Sequence, residues 1–277
     1  TTGSGIGVGG GTGAFNVSDA EILLLTDGFT SITIGDSTGG TGAVDIDSST
    51  FVDTITIVGG SIAVTGLTGN DAADNGDGTG LQAVTLTART GNITDGENAG
   101  ATDVTGSLIT LNAEAGAIGE ATGSGNGSLE LAATTLVTDS TNGANNGAQF
   151  LTEADSLTWN SSSAGSGTIT ITAGTFNIAS GESITAGSVV VNGGTLAGRG
   201  SVTGSVVANS GSFVSPGLSP GILNTGNLTL NSGSTLTIEL DGDQGAGVDP
   251  NGHDQVNVTG TVDVTGATLT VDITDLM

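Results

Sequence analysis

Two stretches crowd side chains that could hold a metal ion. Asp71, Asp74, Asn75 and Asp77 share one glycine-broken loop, and Asp241, Asp243, Asp249, Asn251 and Asp254 share another. Calcium takes six to eight oxygen ligands from carboxylates, carbonyls and water, so these residue types suit a calcium loop. They are also ordinary turn formers, and neither loop has the spaced Asp and distant Glu of an EF-hand. The cofactor expectation is therefore none, or Ca²⁺ in these loops. The single histidine, His253, stands in Pro250-Asn251-Gly252-His253-Asp254. It could serve as a general acid or a metal ligand, or simply as a turn residue beside Asp254. Among the Asn-x-Ser/Thr sequons, Asn126 and Asn160 fall in expected loops and are the glycosylation candidates.

Other reactive side chains are scarce. Arg89 and Arg199 are the only Lys or Arg residues, there is no Cys or Tyr, and Trp159 is the only tryptophan. Glycoside hydrolysis needs two carboxylates, which the chain has, but few aromatics are present on which sugar rings could stack. The expectation is that the chain is not an enzyme. Twenty-eight Asp and Glu give a net charge of −26. That excludes phosphate-neutralising contact with nucleic acid and adhesion to anionic membranes, and it repels acidic polysaccharide substrates. Self-repulsion of this size calls for salt or divalent cations, which suits an external environment. No run of 18 apolar residues forms a transmembrane segment. The chain starts Thr1-Thr2-Gly3 and has its one Met at position 277; it reads as a processed protein or a fragment of a longer one.

The elements that must position these residues show a period of two almost everywhere. Ser31-Ile32-Thr33-Ile34, Thr54-Ile55-Thr56-Ile57, Val84-Thr85-Leu86-Thr87, Leu129-Glu130-Leu131 and Thr168-Ile169-Thr170-Ile171 alternate polar and apolar residues. That pattern places one strand face inward and one outward. The runs recur: Ile32 to Ile55 is 23 residues, Leu86 to Leu111 is 25, Leu111 to Leu131 is 20, Val189 to Val206 is 17 and Val206 to Leu228 is 22. Such a period is the mark of a solenoid. A β-sandwich or β-propeller would carry more aromatics.

The expected fold is all-β: a right-handed parallel β-helix of roughly ten or more irregular rungs, continuous over residues 1–277. Residues 1–30 form a glycine-rich strand and cap, 31–164 irregular rungs with long loops, and 165–277 more regular rungs. Ser18-Asp19-Ala20-Glu21 predicts a capping box and a helix of at most two turns. Polar loops are expected at 70–80, 95–102, 119–127, 139–147 and 241–254. The glycine-rich stretch from Gly3 to Gly13 offers a strand that could pair with a neighbouring molecule.

From Ser188 onward the chain reads Val189-Val190-Val191-Asn192-Gly193-Gly194-Thr195-Leu196-Ala197-Gly198-Arg199-Gly200, then Pro216-Gly217-Leu218-Ser219-Pro220-Gly221, then Ser234-Thr235-Leu236-Thr237-Ile238-Glu239-Leu240. This stretch, to Met277, resembles the autotransporter-associated β-strand repeat. Residues 84–159, through Ile109-Thr110-Leu111, Ala117-Ile118-Gly119 and Leu151-Thr152-Glu153-Ala154-Asp155-Ser156-Leu157-Thr158, are similar to filamentous haemagglutinin-like surface proteins. Both resemblances imply a right-handed parallel β-helix on a bacterial surface or outside the cell, with no catalytic residues to carry over. The expected role is a structural segment (stalk, coat or self-assembling fibre subunit) joined end to end or to other surface proteins. An adhesin binding glycans through its loops is the alternative, and a polysaccharide-degrading enzyme is a distant third.

Overall fold

The computed structural model describes residues 3–71, 80–97, 100–121, 127–142, 145–217, 220–248 and 251–273. Asp74, Asn75, Asp77, Asn126 and Asp249 lie outside the described residues. The chain divides into two compact units, Thr1–Ala154 and Asp155–Met277. Each is a parallel β-helix, in which each turn of the chain lays short strands directly onto those of the turn before.

In the first unit three lines of residues stack. Ile6, Val44, Ile62 and Ile93 align on one face. Ser49, Leu67, Val104 and Leu131 align on a second. Ile32, Ile55, Val84, Ile109 and Leu136 align on a third. Parallel pairing at fixed register sets like side chains over like ones, so aliphatic residues pile into a continuous core. Ile55, Val84, Ile109 and Leu136 are all fully buried. Each such side chain contributes about 1.5–3 kcal/mol through burial, which lets the core form with few aromatics.

The second unit repeats the plan with shorter turns. Ile169, Val189, Val206, Leu228 and Val262 align, as do Phe176, Leu196, Val214, Leu236 and Leu269. Trp159 is fully buried against Phe176, the rings 5.3 Å apart and nearly perpendicular, and its indole N–H donates to Ser162 Oγ at 2.9 Å. The tryptophan is thus a core residue and presents no platform to a sugar. Gly198 takes φ +110° and pairs with Gly217 of the next turn at φ +96°. A Cβ at Gly198 would strike the Ile178 backbone, so the Gly-Arg-Gly step needs glycine where successive turns approach most closely. Pro216 ends the strand Phe213–Pro216, where the missing N–H costs no ladder bond.

The helix Asp19–Ile22 forms with its capping box: the Ser18 N–H donates to Glu21 Oε2 at 2.9 Å. It is a single turn, with Leu23 and Leu24 exposed beyond it. The glycine-rich N-terminal stretch differs from expectation. Its strand Ile6–Val8 already pairs within the chain on both sides, with Val44–Ile46 and with Phe15–Val17, so it has no free edge to offer a neighbour.

Candidate metal centre

In the first unit the strand Ile93–Asp95 ends close to where the strands Val104–Ala113 and Leu129–Asp139 begin. Register pairs Val104 with Leu131, and both are buried in the core. Glu130, one step before Leu131 within its strand, points to the opposite face, and Asp103 stands just before the strand that begins at Val104. The Asp103 N–H donates to the Glu130 carbonyl at 2.8 Å, and the Glu130 N–H returns to Asp103 Oδ2 at 2.8 Å. The two acids therefore sit side by side on successive turns.

Asp95 joins them. One oxygen from each of Asp95, Asp103 and Glu130 lies within 4.8 Å of those of the other two. Asp95 Oδ1 accepts from the Glu97 N–H at 2.8 Å and Oδ2 from the Gly127 N–H at 3.2 Å, which brings the roots of two loops together. Asp103 is 0% exposed and Asp95 1%. Asp103 Oδ1 and Glu130 Oε2 are buried and meet no hydrogen-bond donor. Glu130 Oε1 accepts from Ser128 Oγ at a long 3.4 Å, a hydroxyl that also lies 2.6 Å from Thr152 Oγ1.

Burial pushes the Asp103 carboxyl up to about 9; the neighbouring Glu130 and Asp95 carboxyls add to the rise and the Glu130 N–H opposes it. Burial likewise raises Glu130, with the Asp95 charge adding and the contact with Asp103 opposing. Three acids this close, mostly out of water, cannot all ionise without a counter-charge. Arg89 NH1 donates to the Ser37 carbonyl, beside Asp36, whose carboxyl Thr38 and Arg89 hold below its usual range. Elsewhere in the same unit Thr138 Oγ1 donates to Gln149 Oε1 at 2.7 Å and Gln149 Nε2 donates to Ser140 Oγ at 2.9 Å, whereas Asp53 Oδ2 is a further buried oxygen that meets no donor. The orphaned carboxylate oxygens stand apart from that pattern.

The expected loops behave differently. Asp71 is buried at the mouth of its loop, its N–H bonded to the Gly80 carbonyl. In the other loop Asp241 and Asp254 are buried while Asp243 and Asn251 are exposed. The Asp241 N–H donates to the Gly252 carbonyl and the Gln244 N–H to the Asn251 carbonyl, so the loop folds back on itself. Asp254 Oδ1 accepts from the Gly221 N–H at 2.7 Å and Oδ2 from the Glu239 N–H at 3.0 Å. It clamps two backbone segments, and burial raises its carboxyl despite those two bonds. His253 is half-buried, bridging to Leu240 and Ala246. Among the described residues only Asp95, Asp103 and Glu130 converge as three potential ligands. Asn160 is half-buried next to Trp159, its carbonyl accepting from Ser162 Oγ at 3.1 Å.

Fold and site together define an acidic parallel β-helix with a buried tri-carboxylate corner. Comparison with protein-family models, with curated proteins and with solved structures finds no match to this chain.

Proposed function

We propose that this chain is a structural segment of an extracellular bacterial surface protein: part of a stalk, coat or fibre, without catalysis. The observation that carries this reading is the register itself. Among the described residues successive turns are stacked on one another, inside through aliphatic lines and outside through side-chain ladders. Asn209 donates to Asn192 Oδ1 and Asn231 donates to Asn209 Oδ1 at 2.7 Å, so even the solvent face joins successive turns. The resemblance of residues 188–277 to autotransporter-type repeats supports a bacterial surface location.

End-to-end assembly, with further copies or with other surface proteins, fits the last described turn. Val262 and Leu269 are 57% and 62% exposed there, whereas Leu228, paired with Val262 one turn earlier, is 3% exposed. An added turn would cover the exposed pair. Sedimentation of the purified chain at rising concentration with calcium tests this, and assembly blocked by Leu269→Asp is the expected result. A chain that stays monomeric throughout contradicts the fibre reading, and turnover of any polysaccharide contradicts the non-catalytic one. Selective binding on a glycan array would point to an adhesin instead.

A further inference from the structure

We propose that Asp95, Asp103 and Glu130 bind one calcium ion, which ties together two successive turns of the first unit and the loop roots between them. The site stands on two separate observations. The first is convergence: three carboxylate oxygens within 4.8 Å of one another, close enough for a cation whose oxygen ligands lie at about 2.3–2.6 Å to touch all three. The second is an orphaned oxygen. Asp103 is wholly buried, one of its oxygens bonds the Glu130 N–H, and the other meets no donor. Glu130 Oε2, on the adjacent turn, is also buried without a donor. An ionised carboxylate in that state needs either a proton or a positive charge.

The ligand chemistry selects the ion. All three side chains offer hard oxygen donors, which suit calcium, magnesium or manganese over softer metals. Magnesium demands near-octahedral geometry and keeps several waters, whereas calcium accepts carboxylates in one- or two-oxygen contact and in irregular arrangements. Three carboxylates, two of them almost fully buried, suit calcium better. The backbone already holds the ligands in place: Glu97 and Gly127 N–H groups fix Asp95, and the Glu130 N–H fixes Asp103. Binding would therefore need little rearrangement.

The test uses the full chain, stripped with a chelator and dialysed at constant ionic strength. Calcium titration by calorimetry is expected to show one site per chain that is well separated from weak surface binding, and thermal melts are expected to rise with calcium. Asp103→Asn keeps an acceptor for the Glu130 N–H and removes a charge. It should melt at or above the unmodified chain in chelator, yet gain little from calcium and bind it at least tenfold more weakly. Glu130→Gln, at a less buried position, should behave the same way and serves if Asp103→Asn does not fold. Calcium binding of unchanged stoichiometry and affinity in both variants overturns the proposal, because it would mean diffuse attraction to an acidic surface. Equal melting of the unmodified chain in calcium and in chelator overturns it as well.

Discussion

The two units solve one problem in different ways. Both stack aliphatic residues in parallel register, and both must connect strands around corners that face water. The second unit, Asp155–Met277, does so with short turns, neutral asparagine ladders and glycines such as Gly198 and Gly217. The first unit, Thr1–Ala154, carries longer connections and gathers acidic side chains at the roots of two of them. Neutral amides can bond each other from turn to turn, because each has both a donor and an acceptor. Ionised carboxylates only accept, so stacking Asp103 beside Glu130 leaves oxygens without a donor. The same fold is thus self-sufficient at one kind of corner and in need of a cation or a proton at the other.

The largest effect expected concerns the core. Trp159→Ala should cost about 3–5 kcal/mol, since it removes a fully buried ring and its partner for Phe176. Leu24→Ala, at an exposed position, should change stability by less than about 0.5 kcal/mol. Denaturant titration of the two variants checks the contrast. Next, Asp254→Ala should cost about 2–3 kcal/mol, because the Gly221 and Glu239 N–H groups lose a charged acceptor. A cost of only a few tenths in the same titration would show that the clamp contributes nothing.

The pH response should separate the two kinds of corner. Asp103 has its folded value raised to about 9 from an ordinary 3.8, so the folded state holds a proton that the unfolded chain releases. The associated stability is present below about pH 4 and is lost as pH rises toward 9. Melts in chelator should therefore fall across that window, and Asp103→Asn should flatten the fall. The exposed Glu182 of the second unit is shifted the other way: bonds from Ser161 lower its carboxyl, so its small contribution is present above its ordinary value and fades on acidification. A smaller loss than at the core or the clamp is expected of Asn209→Ala, which should cost about 1 kcal/mol by interrupting the asparagine ladder in its middle.

Much of the stacking was legible in the sequence. The spacings Ile32–Ile55, Leu86–Leu111, Val189–Val206 and Val206–Leu228 each match a register pair. The spacing Leu111–Leu131 does not. The strand Val104–Ala113 serves two faces: its first residues pair with Leu131–Ala133, and its later ones with Thr135–Asp139. Leu111 therefore meets Thr138, and alternation alone cannot show where a long strand turns from one face to the next. The capping box at Ser18 was legible because it is local.

The tri-carboxylate corner was not legible. Its ligands come from separate segments, two on strands and Asp103 just before one, and Asp103 and Glu130 stand 27 residues apart, so no short motif joins them. Glu130 reads simply as the polar member of Leu129-Glu130-Leu131. The available signal was phase: Asp103 precedes Val104 as Glu130 precedes Leu131, and the turn length there is also 27 residues. The crowded loops drew attention because their acids are neighbours in sequence. Adjacent residues in a turn tend to splay into water, and residues one turn apart in a solenoid are the ones that meet.

Hydrogen exchange of the full chain with and without calcium tests the contrast between the units most directly. The account predicts that calcium raises protection around 93–97, 103–105 and 127–133 and leaves the strands from Ser183–Thr185 to Thr235–Glu239 unchanged. A uniform rise through both units, or none in either, would contradict it.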